Sequence, residues 1–218
     1  MCAERFYDHF AACQLLRRYS IPVAQEVLAK DPAHAALAAQ KIGFPAVLKL
    51  LVPGISHKTD AGLVRLNLSS PADVKQAAAE MIASVGGKNI EGLLVQEMVR
   101  GGVEMIAGVV SDPQFGPVVV VGSGGTLVEL LDDVTFALPP LTHANALDLL
   151  RQSASWKLLQ GFRGRPAGDI AALTGLLVQL ARLAMDQAGQ VSSLDLNPVM
   201  VLPQGQGVRV VDYRVYGG

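Results

Sequence analysis

The sequence predicts an α/β fold in which helices and strands alternate along one compact chain of two lobes. Three observations predict it. Apolar residues recur at helical spacing over 10–19, 72–85 and 170–188, whereas shorter apolar runs at 46–50, 63–68 and 93–98 have the length and pattern of strands. Half of the 218 residues are hydrophobic, enough for a substantial core. Neither a repeat of solenoid length nor a low-complexity tract interrupts the alternation.

Residues 10–19 are the first expected helix; Ile21-Pro22-Val23 ends it and begins an extended segment, because proline disfavours helical backbone in the residue before it. The alanine-rich stretch 32–41 is the second helix, stopped at Gly43 and followed by the strand at 46–50. After the strand at 63–68, Ser70-Pro71 supplies a capping hydroxyl and a proline suited to a first helical turn, and the helix 72–85 follows. The strand 93–98 closes the first lobe. Beyond Gly101-Gly102 come strands at 104–110 and 118–121, helices at 144–150 and 170–188, and strands at 194–196 and 208–215. With the boundary at Met98, residues 1–218 form one domain with lobes at 19–98 and 99–218.

Lys and Arg number 18 against 19 for Asp and Glu, so the charge balance favours neither nucleic acid nor an anionic membrane as partner. No apolar run reaches the ~20 residues needed to span a bilayer, and the amino terminus lacks a secretory pattern. Cys2 and Cys13 have no metal-binding spacing and read as reduced thiols. A cytoplasmic protein is expected.

Lys49 lies inside the apolar run 46–50 and shares a strand face with Val47. Burying an ammonium costs several kcal/mol unless an anion meets it. Lys49 is therefore either an edge-strand lysine with its head in water or a ligand of an anion. The segment Pro53-Gly54-Ile55-Ser56-His57-Lys58-Thr59-Asp60-Ala61-Gly62 packs small residues, hydroxyls, a cation and an imidazole between two strands. Its N–H groups and Lys58 can meet phosphate oxygens, and His57 offers a nitrogen able to accept a phosphoryl group; a loop histidine can equally be a plain surface residue.

Gln96, Glu97, Met98 and Val99 stand where the chain crosses between lobes. Backbone groups there can read an adenine edge, or the strand end simply turns polar at the surface. Glu104 can meet ribose or metal, or only water. Gly122-Ser123-Gly124-Gly125 can cradle a phosphate or let two loops touch, or is an ordinary turn, and does not match the dinucleotide fingerprint. Asp195 and Asn197 share a face by the period of two, with Asp212 on the next strand and Ser192, Ser193 and Gly205 framing the connection. Magnesium prefers hard oxygens and keeps several waters, so two or three such groups beside nucleotide phosphates suffice. The same residues can instead cap a turn before Pro198.

In their order these segments resemble the ATP-grasp domain of the NDP-forming acyl-CoA synthetases, the family of ADP-forming acetate–CoA ligase. The resemblance runs from about residue 15 to 215 and is carried by Gly43-Phe44-Pro45-Ala46-Val47-Leu48-Lys49, Ser56-His57-Lys58-Thr59-Asp60, Val95-Gln96-Glu97-Met98, Asp112-Pro113-Gln114-Phe115-Gly116-Pro117, Gly122-Ser123-Gly124-Gly125 with Glu129, Gly161-Phe162-Arg163-Gly164-Arg165-Pro166 and Leu194-Asp195-Leu196-Asn197-Pro198. It implies an ATP-grasp fold whose two α/β lobes enclose a nucleotide cleft, with ATP/ADP and Mg2+ as cofactors. By the same resemblance Lys49 meets the nucleotide phosphates, beside the contact already read for Lys58, Gln96 to Val99 form the adenine hinge, Asn197 and Asp212 hold magnesium, and Glu104 and Asp195 are second contacts. His57 would carry the phosphoryl group between the partner's phosphohistidine and ADP.

The implied reaction is acyl-CoA plus phosphate plus ADP giving acid, CoA and ATP. No CoA-binding Rossmann unit is recognisable, so a CoA-binding alpha subunit or fused domain, in a hetero-oligomer in the first case, would bind acyl-CoA and the free acid. Leu63 stands where a second glycine is expected beside Gly62, which bears on how freely the His57 segment swings. Two other readings of the fold are a regulatory module of a synthetase-like protein acetyltransferase and a carboxylate–amine ligase; the second has no use for His57.

Overall fold

A computed structural model describes residues 5–53, 62–86, 89–125 and 133–218. They divide into two compact units: residues 24–100 form one, and the chain up to Val23 joins Gly101–Gly218 in the other.

The smaller unit contains β2 (Glu26–Ala29), α2 (Pro32–Ile42), β3 (Ala46–Leu51), β4 (Val64–Leu68), α3 (Pro71–Ser84) and β5 (Gly92–Glu97), preceded in the chain by β1 (Arg5–Phe6) and α1 (His9–Arg18) of the other unit. Both of its helices start as their sequences dictate: Asp31 and Ser70 accept hydrogen bonds from His34 N at 2.8 Å and Asp73 N at 3.1 Å, each with a proline in the first turn. Gly43 ends α2 at φ +107°, a conformation that side chains with a Cβ avoid. The four strands pair antiparallel in the order β2-β5-β3-β4. Ala35, Ala38 and Ala39 of α2 and Val74, Ala78 and Met81 of α3 pack with Ala46, Leu48, Leu50, Leu93 and Val95, so alternate residues of β3 face the helices. Val47, Lys49 and Leu51 point to the opposite face.

The larger unit adds β6 (Val103–Asp112), β7 (Gly116–Ser123), β8 (Val134–Ala137), α4 (His143–Gln152), α5 (Trp156–Leu159), α6 (Ile170–Asp186), β9 (Val191–Val201), β10 (Val208–Val210) and β11 (Tyr213–Gly217). Its sheet runs β1-β11-β9-β6-β7-β8, with β10 also on β9. One face buries Met105, Ala107, Val109, Val119, Val121, Leu194, Leu196, Val199 and Val201 in a core shared with Leu16 of α1, Leu150 of α4, and Leu173, Leu177 and Leu180 of α6. The register of β6 on β9 passes from Met105↔Val199 to Ala107↔Leu196, so Asn197 and Pro198 together oppose Ile106 as a β-bulge.

Residues 19–23, expected in the first lobe, belong to the larger unit. Tyr19 and Ile21 lie in its core, Val210 N donates to Pro22 O at 2.8 Å, and Val23 bridges to Val210. The stretch 208–215 is two strands, β2 falls in the extended segment expected between the first two helices, and β1, β8 and α5 have no counterpart in the sequence reading. Among the described residues no helix is long and apolar enough to cross a membrane.

Candidate functional site

In each unit a set of polar residues stands on the sheet face turned away from the helices. In the smaller unit Lys49 is 5% exposed and lies between Leu94 of β5 and Val64 of β4. With strands on both sides, β3 is interior, which removes the edge-strand reading of Lys49. Gln96, opposite Val47, occupies the same face one diagonal step away, about 7–8 Å between backbones. It is fully buried, and its Nε2 donates to Glu26 Oε2 at 2.9 Å across the β2–β5 pair. A polar strand end at the surface does not describe Gln96.

The segment beyond β5 is held from two sides. Glu97 Oε1 accepts from Gln25 N at 2.7 Å while Glu97 N donates to Gln25 O at 2.9 Å, extending the β2–β5 ladder by one rung. On the other side Asn67, in the left-handed region at φ +58°, donates its N–H to Met98 Sδ at 3.3 Å and accepts from Arg100 Nη2 at 2.9 Å. Val99 sits half-buried between these anchors. Cys2, His57, Lys58 and Glu129 lie outside the described residues.

In the larger unit Asp195 opposes Arg214 of β11 and Gly108 of β6. Asn197 follows on the same exposed face, and its N–H donates to Asp212 O at 3.0 Å, while Asp212 Oδ1 accepts from Tyr213 N at 3.1 Å. The bulge therefore sets Asn197 beside Asp212 at the break between β10 and β11, with Val211 N donating to Pro198 O at 3.0 Å. Asp195 and Asn197 lie within the paired strand β9, whereas Asp212 lies in the break between β10 and β11, where its carboxylate accepts from the next residue. Although Asp195 keeps an edge in solvent, desolvation by the surrounding protein raises its carboxyl above the ordinary carboxylate value; Arg214 opposes that rise and Asp212 adds to it.

Glu104 is exposed on β6, opposite Met200 of β9. The glycine turn is pressed against it. Gly124 N donates to Glu104 O at 2.9 Å; a Cβ on Gly124 would lie 2.7 Å from the Glu104 carbonyl carbon, and one on Gly125 2.7 Å from Glu104 Oε2. Gly122 is equally constrained, since its Cβ would strike Asp133 O. Close approach of backbone to backbone requires glycine at 122 and 124, while at Gly125 it is the positive φ of +64° that favours glycine.

The donors fit a magnesium ion held with a nucleotide. Asn197 and Asp212, joined backbone to backbone, carry an amide oxygen and a carboxylate, and the Asp195 carboxylate stands on the same sheet face as Asn197. Among the described residues no group of three or more His, Cys, Asp or Glu is placed to hold a metal ion. The pairings Gln96–Glu26 and Asp195–Arg214 escaped sequence reasoning, because each joins strands whose neighbours in the sheet are not their neighbours in the chain.

A family model of the ATP-grasp domain matches residues 3–216. The chain is 42% identical over 206 residues to a 4-hydroxybutyrate–CoA ligase (ADP-forming) of Nitrosopumilus maritimus, a match that takes in 93% of this chain and 29% of that protein. It is 38% identical over 210 residues to the beta subunit of an acetate–CoA ligase (ADP-forming) II of Pyrococcus furiosus, covering 94% of this chain and 89% of the subunit. The chain thus spans under a third of the first relative and most of the second. A dinucleotide forming acetyl-coenzyme A synthetase 1 of Ca. Korarchaeum cryptofilum, solved with coenzyme A, Ca-AMPCP and HgCl+, superposes with a TM-score of 0.90 at 39% identity over 96% of this chain and 92% of that one. The same enzyme with coenzyme A and Mg-AMPPCP, its phosphohistidine segment pointing towards the nucleotide binding site, superposes with a TM-score of 0.86 at 36% identity over 98% and 93%.

Proposed function

The chain belongs to the ATP-grasp family, with the beta subunits of the ADP-forming acetate–CoA ligases, and on that premise we propose that it is the nucleotide-binding part of an acid–CoA ligase. The reaction is acyl-CoA plus phosphate plus ADP giving acid, CoA and ATP, in either direction. Lys49 and Lys58 meet the nucleotide phosphates, backbone groups from Gln96 to Val99 meet the adenine, Glu104 is a further nucleotide contact, and Asn197 and Asp212, with Asp195 beside them, hold magnesium. Bound there, the ion screens charge on the phosphates. Phosphoryl transfer of this kind depends on positioning and charge more than on covalent chemistry by the protein.

A ring nitrogen of His57 accepts the phosphoryl group from the partner. An oxygen of the terminal phosphate of ADP then takes it, breaking the nitrogen–phosphorus bond and leaving ATP. The phosphohistidine segment of the Korarchaeum enzyme supports that role. One relative is a subunit and the other a longer chain, so the CoA-binding partner is a separate alpha subunit or a fused domain, and the acid binds there. Ligases, not regulatory proteins, are the relatives that favour catalysis over a regulatory module.

The observation that carries this reading is the Asn197–Asp212 pair: two residues with hard oxygen side chains whose backbones a bulge in β9 brings together, Asn197 N donating to Asp212 O at 3.0 Å. Titration of ADP with magnesium into the protein by calorimetry tests it. Asn197→Ala and Asp212→Ala should each weaken binding about tenfold or more, as for loss of a charge-assisted contact; unchanged affinity in both variants would refute the metal assignment. Separately, mass spectrometry under alkaline conditions should find phosphate on His57 when partner, acyl-CoA and phosphate are present, and none in His57→Ala.

A further inference from the structure

Behind the glycine turn lies a buried chain of polar groups that none of the roles above uses. Ser123 and Ser155 are each 1% exposed. Ser123 Oγ donates to Asp133 Oδ2 at 2.5 Å, which engages its only hydroxyl proton, so at its other contact, also 2.5 Å, Ser155 Oγ must be the donor. Asp133 Oδ1 accepts from Ala154 N at 2.8 Å, and Asp133 O from Ser123 N at 3.2 Å. Three separate places in the chain are thereby joined: the end of β7, the residue before β8, and the turn into α5.

Ser123 follows Val119 and Val121 on the core face of β7. An apolar side chain there would continue the core. A polar chain in its place gives little net stability but fixes geometry, because each buried hydroxyl must keep its partner. No hydroxyl in it reaches solvent, so direct contact with a substrate is excluded; what the chain can do is hold Ser123. The next two residues are Gly124, bound through its N–H to Glu104 O, and Gly125, at φ +64° with its Cβ position 2.7 Å from Glu104 Oε2.

We propose that Ser123, Asp133 and Ser155 are positioning residues for nucleotide binding, holding the Gly124-Gly125 turn against Glu104 and so fixing where the Glu104 carboxylate meets the nucleotide. This rests on the assignment of Glu104 as a nucleotide contact. Loosening the chain frees the turn, and the carboxylate then spends part of its time in rotamers that miss the ligand. A methyl at Gly125 displaces it outright.

The test is a double-mutant cycle on the full chain, with the dissociation constant for magnesium–ADP as its readout and thermal unfolding followed alongside. Glu104→Ala should weaken binding about tenfold, and Ser123→Ala, Asp133→Asn and Gly125→Ala should each weaken it several-fold. In the Glu104→Ala background the three further substitutions should have no additional effect on affinity. If Asp133→Asn fails to fold, Ser123→Ala and Gly125→Ala decide the matter. Losses that persist undiminished without the Glu104 carboxylate, or a lowered melting temperature with unchanged affinity, would reduce the chain to a structural role. Unchanged affinity in Glu104→Ala would remove the Glu104 assignment, and the proposal with it; a weakened Glu104→Ala beside unaffected Ser123→Ala and Gly125→Ala would overturn the positioning role alone.

Discussion

Replacing Asp169 by alanine removes three hydrogen bonds at one point. Oδ1 of Asp169 accepts from Ala172 N at 3.1 Å, and Oδ2 from Gly205 N and Gly207 N, both at 2.9 Å. A single carboxylate thus caps α6 and closes the turn between β9 and β10, the strands that lead into the Asn197–Asp212 pair. Loss of the cap costs about 1 kcal/mol. Each of the other two bonds is worth about 0.5–1.5 kcal/mol net. Together they amount to about 2–4 kcal/mol, and for a chain of 218 residues that lowers the melting temperature by about 5–15 °C. Desolvation tends to raise this carboxyl, but the N–H groups of Ala172, Gly207 and Gly205 outweigh it and hold it below the ordinary value. The contribution is therefore complete above the ordinary carboxylate range and is lost as pH falls through the lowered value. Thermal scans across pH should show wild type and Asp169→Ala well separated near neutrality and converging in acid. A neutral-pH difference under about 2 °C would show that water replaces the cap and turn bonds at no loss, and one that persists unchanged in acid would show that they do not depend on the ionised carboxylate.

Lys49→Met keeps an unbranched chain in the interior of β3 while removing the ammonium; the protein should fold and bind ADP about ten- to a hundredfold more weakly by calorimetry, as for a lost charged contact. Equal affinity in the two proteins would place Lys49 outside the nucleotide site. Leu48, on the opposite face of β3 and fully buried, should act the other way: Leu48→Ala should cost the smaller unit about 2–5 kcal/mol in denaturant unfolding. A loss below about 1 kcal/mol would mean that the helices close over the cavity.

Most elements were legible because their signals are local. Asp31-Pro32 and Ser70-Pro71 mark helix starts, and Gly43 an end, through backbone chemistry confined to a few residues. What the sequence could not supply was sheet order. Lys49 is buried because β5 and β4 flank β3, and nothing within 46–50 distinguishes that from an edge. The bounds of β2 could not be set within the extended segment after Pro22, since its four residues alternate poorly, with only Ala29 buried. For the glycine turn, composition could not show the close packing: the groups that a Cβ would meet, Glu104 and Asp133, are joined to it by no spacing rule.

One long-range feature was written in the apolar pattern after all. Leu194, Leu196, Val199 and Val201 are the core positions of β9, and between 196 and 199 the period of two slips by one residue. A regular strand would turn Val199 and Val201 outward, whereas the bulge at Asn197 and Pro198 absorbs the extra residue and returns them to the core. The same slip directs both bulged residues to the break between β10 and β11, where Asn197 N meets Asp212 O and Val211 N meets Pro198 O. Deleting Pro198 therefore separates packing from function. The four apolar residues then alternate regularly and the core survives, but Asn197 loses the local bend that sets it beside Asp212. The deletion protein should retain a cooperative unfolding transition and bind magnesium–ADP at least tenfold more weakly, the loss of one well-placed metal oxygen. If it binds as tightly as the parent, the bulge serves the core alone, and the side-by-side placement of Asn197 and Asp212 has no part in holding the metal.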